Sequence, residues 1–221
     1  GSTWRRDGVS RHHLAPQIFP ENLTFTPDDI FAGRIPSGKV VVYDDDHFYL
    51  GGVLAEHCRK NGCEVTLVTP AGLVSSWTVH TLEQEIIEAD LLKKGIRILP
   101  HHFVRPGKNL IPEIAHIYTG SEPYEARIVD CDALVLVTAR LPNSGLESDL
   151  EEVRNSWGDA GIKSVTRIGD ALAPATIAAA VYSGHRYARE LDEEIDPDAV
   201  PFERELTAIA AEPDWDTFWQ E

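Results

Sequence analysis

Basic residues are scarce in this sequence. Its 20 lysines and arginines stand against 36 aspartates and glutamates, which gives a formal net charge of −16. A chain of this sign is repelled by phosphate backbones and anionic lipids, so nucleic acid and an acidic membrane are excluded as expected partners. Long apolar runs are also absent, since none approaches the ~20 residues that span a bilayer. Because no signal peptide is recognisable either, we expect no membrane segment.

Cysteine is scarce as well. The three cysteines, Cys58, Cys63 and Cys131, form no C-x-x-C pair and no spacing typical of a metal site. An odd number of cysteines suggests reduced thiols, so we expect a cytoplasmic protein. The sequence also has no G-x-S-x-G motif and no nucleophile in register with a base, so no catalytic residue is predicted.

The clearest pattern lies between Lys39 and Glu56. An apolar run, Val40–Val42, leads into a polar loop and then a helix-like run, which is the opening of a dinucleotide-binding βαβ unit. Such a loop needs G-x-G-x-x-G so that backbone N–H groups can approach a pyrophosphate. The three glycine positions hold Asp46, Phe48 and Gly51. The sequence therefore predicts a Rossmann frame that has lost its phosphate cradle.

The sequence predicts neither the acidic residue that binds a ribose nor a metal site. The strand Glu64–Val68 ends in Thr69–Pro70 instead of the acidic residue that binds an adenosine ribose, so NAD(P)H is not expected. The run Asp44–Asp46 has the composition of a metal site, but we favour an acidic loop that repels a dinucleotide. The neighbouring pairs His12–His13 and His101–His102 point apart in any regular element, so no shared metal is predicted.

The rest of the pattern predicts an α/β fold: a Rossmann-like, FAD/NAD(P)-binding-type parallel sheet flanked by helices, with an antiparallel crossover excursion. The excursion is expected between Ile96 and Val129. The other predicted elements are helices at 51–61, 81–94 and 146–157, strands Ala133–Val137 and Ser164–Ile168, and a long helix to about Glu194 that packs through Ile177, Ala180, Val181, Gly184 and Tyr187.

The strand Ser164–Ile168 delivers Gly169–Asp170 to the start of that long helix. Many FAD proteins place a carboxylate here, beside the flavin's ribityl or pyrophosphate group, and the helix N-terminus faces the phosphates. An ordinary turn with an aspartate N-cap is the alternative. The small residues Ala178–Ala180 permit close backbone approach and favour the nucleotide interpretation.

The acidic tail, residues 196–221, contains the aromatic residues Trp215, Phe218 and Trp219. Three large aromatic side chains within five residues are costly to leave in water. We therefore favour a segment that docks on its own parent protein or on a neighbouring subunit. A poorly ordered tail is the alternative.

Four blocks, in this order, resemble the C-terminal part of the trimethylamine dehydrogenase family. This family includes dimethylamine and histamine dehydrogenases and is related to 2,4-dienoyl-CoA reductase. The blocks are GSTWRRDG at the start, KVVVYDDDHFYLGGVLAEHCRKNGCEVTLVTP, DALVLVTAR and SVTRIGDALAPATIAAAVYSGHRYARELD, and they lie within residues 1–195.

The resemblance implies a fragment of a larger iron–sulfur flavoprotein. The parent would carry an Old-Yellow-Enzyme-type barrel with FMN, a [4Fe–4S] cluster and the first glycine loop of the FAD- or ADP-binding domain. Residues 1–35 and 141–195 would form a partial FAD/ADP-binding-type domain, and residues 36–140 an inserted, degenerate NAD(P)-binding-type domain. The candidate nucleotide-binding residues are Gly1, Gly169, Asp170, Ala171 and Thr176, with FAD or ADP as the ligand.

The resemblance also implies the activity of the parent. It would oxidise an amine and pass electrons to an electron-transferring flavoprotein, while this chain, in contact with the remainder of the parent, would not catalyse by itself. One alternative is an NAD(P)H-binding reductase domain like that of 2,4-dienoyl-CoA reductase. Another is a non-catalytic docking module. Homo-oligomerisation is left open.

Overall fold

The computed structural model describes residues 1–119, 127–128 and 130–191, and the structural statements below concern these residues. The predicted tail at 196–221 lies outside them. The strands are β1 (Ser2–Trp4), β2 (Thr24–Phe25), β3 (Lys39–Asp44), β4 (Glu64–Val68), β5 (Arg97–Leu99), β6 (His102–Pro106), β7 (Pro112–His116), β8 (Arg127–Ile128), β9 (Ala133–Val137) and β10 (Arg140–Pro142). The helices are α1 (Pro27–Phe31), α2 (Leu50–Lys60), α3 (Gln84–Lys93), α4 (Gly145–Glu152) and α5 (Ile177–Glu190).

A five-stranded sheet in the order β2-β9-β3-β4-β5 organises the chain, and all its pairs are parallel. The predicted α/β fold with a parallel sheet is thereby confirmed. The central strands β9, β3 and β4 are rich in apolar residues because both faces of the sheet are covered. In β9, every residue from Ala133 to Val137 is buried.

The two faces of β3 belong to two different cores. Val40 and Val42 pack with Leu54 and Cys58 of α2 on one side. Val41 and Tyr43 pack on the other side with Phe103 and the rest of a second cluster. The antiparallel sheet β6-β7-β8 contributes to that second cluster and lies within the predicted excursion. The excursion begins later than predicted, because Arg97–Leu99 forms β5 of the parallel sheet. These two layers fix the direction of β3 and therefore the position of the loop that follows it.

Two predicted elements differ from the structure. The helix expected from Thr81 begins at Gln84, because Leu82 has φ +61° and separates α3 from a 3₁₀ turn at Ser76–Thr81. The predicted strand Ser164–Ile168 was wrong: within the described residues these positions form no strand. A strand requires a neighbour to accept and donate backbone hydrogen bonds, and periodicity alone does not reveal whether one is present.

The predicted packing face of α5 is also largely uncovered. Ile177 is 84% exposed and Val181 is 53% exposed, and α5 contains no buried residue. Ala180 lies close to Gly169, since its Cβ would be 3.5 Å from a Cβ built on that glycine. The apolar residues predicted for this helix are present in α5, but little of the described part of the chain packs against them. None of the described helices is long and apolar enough to cross a membrane.

The N-terminal segment is fastened to the sheet by Asp29. This carboxylate accepts hydrogen bonds from the Thr26 backbone N–H at 2.8 Å, from Arg34 at 2.7 Å, and from Arg6. Arg6 also donates to the carbonyl of Thr24 in β2. These bonds tie the residues that follow β1 to α1 and β2, and β1 pairs antiparallel with β10. As a result, Ser2 lies beside β10, the strand that follows β9.

We expect Asp29→Ala to lower the free energy of unfolding by about 2 kcal/mol, because it removes a helix-start acceptor and leaves two arginines unpaired. Part of this loss should be screened, since the Arg6 and Arg34 side chains are 38% and 58% exposed. Chemical denaturation measured at neutral pH checks the value. Arg34→Ala is the matched control and should cost less than about 1 kcal/mol; equal losses would contradict the role given to Asp29.

Candidate functional site

A cleft of about 460 Å³ opens at the carboxyl ends of β3 and β9. The chain leaves β3 towards β4 on one side, whereas β9 lies on the other side, so this is the point at which the strand order reverses. Open parallel sheets bind ligands at such switch points. We call it the switch-point cleft; its lining residues are Ser10, Arg11, Asp45, Asp46, Phe48, Thr138, Ala139, Arg140, Pro174, Ala175 and Thr176.

The side chain of Asp44, the last residue of β3, binds the backbone of the loop that follows. Asp44 Oδ1 accepts hydrogen bonds from the backbone N–H groups of Asp46 and His47, at 3.1 and 3.0 Å. In a dinucleotide-binding loop, N–H groups of this kind are the donors that reach the pyrophosphate. The Asp44 side chain also fills the space in front of Gly51, where an added Cβ would lie 2.5 Å from Oδ2. The loop has therefore lost two of its three glycines, and Asp44 occupies two of its backbone donors.

The acidic run at 44–46, interpreted from the sequence as a loop that repels a dinucleotide, is largely buried. Asp44 is fully buried and Asp45 is 2% exposed. Asp45 contacts His47, with Oδ1 2.8 Å from Nε2, and accepts a hydrogen bond from the backbone N–H of His12 at 2.7 Å. Burial acts to raise the pKa of Asp45, but these bonds outweigh it and hold the pKa below its ordinary value. Within the described residues, no group of His, Cys, Asp and Glu side chains is placed to hold a metal ion.

The predicted nucleotide residue Asp170 lies at the centre of a hydrogen-bond network. Its Oδ2 accepts from Ser2 Oγ at 3.0 Å and from Arg140 Nη1 at 3.2 Å, and its Oδ1 accepts from the Ala175 backbone N–H at 3.2 Å. Burial alone would raise its pKa; the hydrogen bonds and Arg140 instead lower it. Arg140 is fixed in turn by the Ala175 carbonyl and by the ring of Trp4. Asp170 therefore joins the N-terminal segment, the end of β9 and the turn before α5.

The other predicted nucleotide residues surround this network. Gly169 opens a 3₁₀ turn that ends at Ala171, has φ +56°, and donates its N–H to Ser183 Oγ at 2.9 Å. Thr176 is the N-cap of α5, and its side chain accepts from the Ala179 N–H. Gly1 is exposed and accepts a backbone hydrogen bond from Asn143. The structure thus places Asp170, with Gly169 and Ala171 on either side, against Ser2, the neighbour of Gly1.

The chain is similar in sequence and fold to known proteins. Residues 25–125 match the sequence model of a family described as the OYE-like second alpha/beta domain. Histamine dehydrogenase from Rhizobium sp. 4-9 is 46% identical, with a TM-score of 0.84, over 95% of this chain and 32% of that one. The 6-hydroxypseudooxynicotine amine oxidase from Pseudomonas geniculata N1 is 34% identical, with a TM-score of 0.73, over 84% of this chain and 27% of that one.

The chain is similar to one part of known amine dehydrogenases. Dimethylamine dehydrogenase from Hyphomicrobium sp. (strain x) is 28% identical over 94% of this chain and 31% of its own length. The chain thus spans about a third of the length of the relatives it matches. The likeness to this group, inferred from four sequence blocks, is supported by both sequence and structure.

Three residues of this amine-dehydrogenase-like chain were missed as site residues in the sequence. Thr138 and Arg140 both line the switch-point cleft, and so does Arg11 from the N-terminal segment. The signal for the first two was available, since Thr138-Ala139-Arg140 directly follows a buried strand and the carboxyl ends of parallel strands share one edge. No comparable signal marks Arg11, because its segment is irregular and its path over the sheet edge depends on tertiary contacts.

Proposed function

We propose that this chain is the nucleotide-domain-like part of a flavoprotein that oxidises an amine. The observation that carries the proposal is the 46% identity to histamine dehydrogenase over 95% of the chain, at a TM-score of 0.84. In the proposed parent, FMN and a [4Fe–4S] cluster lie outside this chain, which does not catalyse by itself. The parent acts in the cytoplasm and delivers electrons to an electron-transferring flavoprotein.

Within the parent, residues 36–140 serve as a Rossmann-type frame that has given up its dinucleotide. The occupied donors of the loop support this proposal, because Asp44 already binds the N–H groups of Asp46 and His47. The residues at the former glycine positions support it further, since Phe48 is bulky and Asp46 is acidic. A reductase that binds NAD(P)H would require those donors to be free.

Residues 1–35 and 141–195 are proposed as the partial domain that faces FAD or ADP. Asp170 is its polar centre, and α5 starts beside it, so the helix N-terminus favours a phosphate there. The exposed apolar residues of this region support packing against the remainder of the parent. These are Leu146, Leu172, Ile177, Val181 and Leu191.

The parent protein provides the test. We expect the full-length native gene product, purified with its cofactors, to show flavin and iron–sulfur absorption that is bleached anaerobically by an amine and not by NADH or NADPH. The loop geometry is the reason, since Asp44 already occupies the backbone N–H groups of Asp46 and His47 that would face a dinucleotide pyrophosphate. Stopped-flow absorbance measures both reactions. Faster bleaching by NADPH than by any amine would refute the proposal in favour of a reductase.

The same preparation tests the nucleotide position. Asp170→Asn should lower the content of ADP or FAD released on denaturation, measured by chromatography, because it weakens the turn that faces the nucleotide. Asp149→Asn, at an exposed position of α4, is the matched control and should keep the wild-type content. Equal nucleotide content in both variants would remove Asp170 from the site while leaving the amine activity to be judged separately.

A further inference from the structure

Residues 8–16 form a surface loop whose two ends are held together. The Gln17 backbone N–H donates to the Asp7 carbonyl at 2.6 Å, and the Asp7 carboxylate is paired with Arg5, with 2.6 Å between Oδ2 and Nη2. Gly8 has φ +66° and packs on Gln17, since an added Cβ would lie 3.1 Å from the Gln17 Cβ. Compact loops of this kind are frequently functional and can open locally without global unfolding. We call residues 8–16 the N-terminal loop.

The tip of the N-terminal loop rests on the carboxyl end of the parallel sheet and on β6. His12 donates its backbone N–H to Asp45 at 2.7 Å. The rings of His12 and His13 contact the ring of Phe103 in β6, with 4.6 and 5.0 Å between centroids. The lining of the switch-point cleft includes Ser10–Arg11. The tip therefore forms one wall of that cleft.

His13 is placed where a charged ring is poorly accommodated. Its Nε2 is buried and has no hydrogen-bond partner within the described residues. The ring of His12 lies edge-on to it, with 4.9 Å between centroids. A proton on Nε2 would point into a site without an acceptor, and a buried donor left unpaired is costly. The geometry thus favours the neutral imidazole in the docked loop.

The groups that face His13 act in both directions on its protonation. Burial is the main reason that the pKa of His13 lies below its ordinary value of 6.5, and the charge of His12 adds to this effect. Asp45 and a hydrogen bond to the Val104 backbone favour a proton on the ring, whereas Arg105 of β6 opposes one. The net effect is that the docked loop takes up a proton less readily than a free histidine does.

The nearby carboxylates already have partners of their own. Asp45 Oδ1 lies 2.8 Å from His47 Nε2, and Glu113 Oε2 of β7 lies 3.4 Å from Arg105 Nε. Neither carboxylate is therefore free to pair with a protonated His13.

From these contacts we propose that the N-terminal loop opens from the sheet when His13 takes up a proton, which removes one wall of the switch-point cleft in mildly acidic solution. Because the folded-state pKa is the lower one, the contribution of His13 to docking is complete above about pH 6.5 and is lost as pH falls through the folded-state pKa. The base of the loop, at Asp7 and Gln17, stays in place. The inference goes beyond the proposed function and does not rest on it, because every residue involved belongs to this chain.

Amide hydrogen exchange of the purified 221-residue chain, measured by NMR, tests the proposal. Between pH 7.5 and pH 5.5 the protection factor of the His12 amide should fall about five- to tenfold, because pH 5.5 lies about one unit below the ordinary histidine pKa. The amides of Gln17 and of Ala133–Val137 should keep their protection, since only the loop tip opens. Unchanged protection of His12 at pH 5.5 would overturn the proposal.

A variant assigns the effect to His13. His13→Phe keeps a ring against Phe103 and cannot take up a proton, so the His12 amide should be equally protected at both pH values. His185→Gln, at an exposed position of α5, is the matched control and should lose protection as the wild type does. Loss of protection that persists in folded His13→Phe would show that another group, such as Asp45, controls the loop, and the proposal would fail.

A direct titration of the wild type does not depend on any variant. The ring C–H resonance of His13 should titrate below the ordinary histidine pKa of about 6.5, and its midpoint should coincide with the loss of protection at His12. A midpoint at or above about 6.5 would overturn the proposal, because docking would then not oppose protonation.

Discussion

Gly51→Ala is expected to lower the free energy of unfolding by about 3 kcal/mol, because the added methyl group would lie 2.5 Å from Asp44 Oδ2. Neither group can move away easily. Asp44 is fully buried and held by two backbone N–H groups, and Gly51 is buried in the first turn of α2. Denaturant unfolding followed by circular dichroism checks the value.

Gly52, the next residue in α2, provides the matched control substitution for Gly51→Ala. A Cβ added to Gly52 meets nothing closer than 3.5 Å, at Leu91 Cδ1, which is an ordinary contact. Gly52→Ala should therefore raise stability by about 0.5–1 kcal/mol, since alanine is the better helix former. Alanine should therefore lower the free energy of unfolding at Gly51 and raise it at Gly52. A similar small effect at both positions would mean that Asp44 does not occupy the space given to it here.

The second large expected effect is a pH dependence of the free energy of unfolding that arises from Asp44. Burial raises the pKa of Asp44 to about 6, although the backbone N–H groups of His47 and Asp46 lower it in part. Because this folded-state pKa lies above the unfolded value, the stabilisation from Asp44 is complete below about pH 4 and is lost as pH rises through about 6. We expect the free energy of unfolding to fall by about 3 kcal/mol from this residue over that interval.

Asp44→Asn isolates this contribution. The amide keeps an oxygen for the two backbone donors but cannot titrate, so the difference between wild type and variant should change by about 3 kcal/mol between pH 4 and pH 7. Urea unfolding at several pH values measures it, and Asp149→Asn should follow the wild-type curve. A difference that is independent of pH would show that Asp44 keeps an ordinary pKa.

Much of the architecture could be predicted because its signals are local. The strands Glu64–Val68 and Ala133–Val137 were predicted with the bounds that the structure shows. Both are five-residue runs rich in valine and leucine, and this length and composition favour a strand over a helix. The start of α3 could not be predicted in this way, because the left-handed Leu82 is imposed by its surroundings and leucine gives no signal for it.

The site was predicted only in part, because sequence patterns do not show what a side chain bonds to. Asp170 was identified from its place after Gly169, but its bonds to Ser2 and Arg140 join residues 168 and 30 positions apart. The degenerate loop was recognised from Asp46 and Phe48. Asp44, the residue whose side chain occupies this loop, was interpreted only as part of an acidic run that repels a dinucleotide, because the sequence does not show which backbone N–H groups a carboxylate binds.

The carboxylate of Asp44 acts as a tethered competitor for the loop it enters. A phosphate from solution would have to displace a group that is covalently attached and already in place, so its effective concentration at the loop amides far exceeds that of any free metabolite. Restoring glycine at 46 and 48 would widen the loop and still leave those amides bound. A return to dinucleotide binding therefore requires a substitution of Asp44 itself. Asp44 is the last residue of the buried strand β3 and packs against Gly51, so the surrounding space limits which residues can replace it.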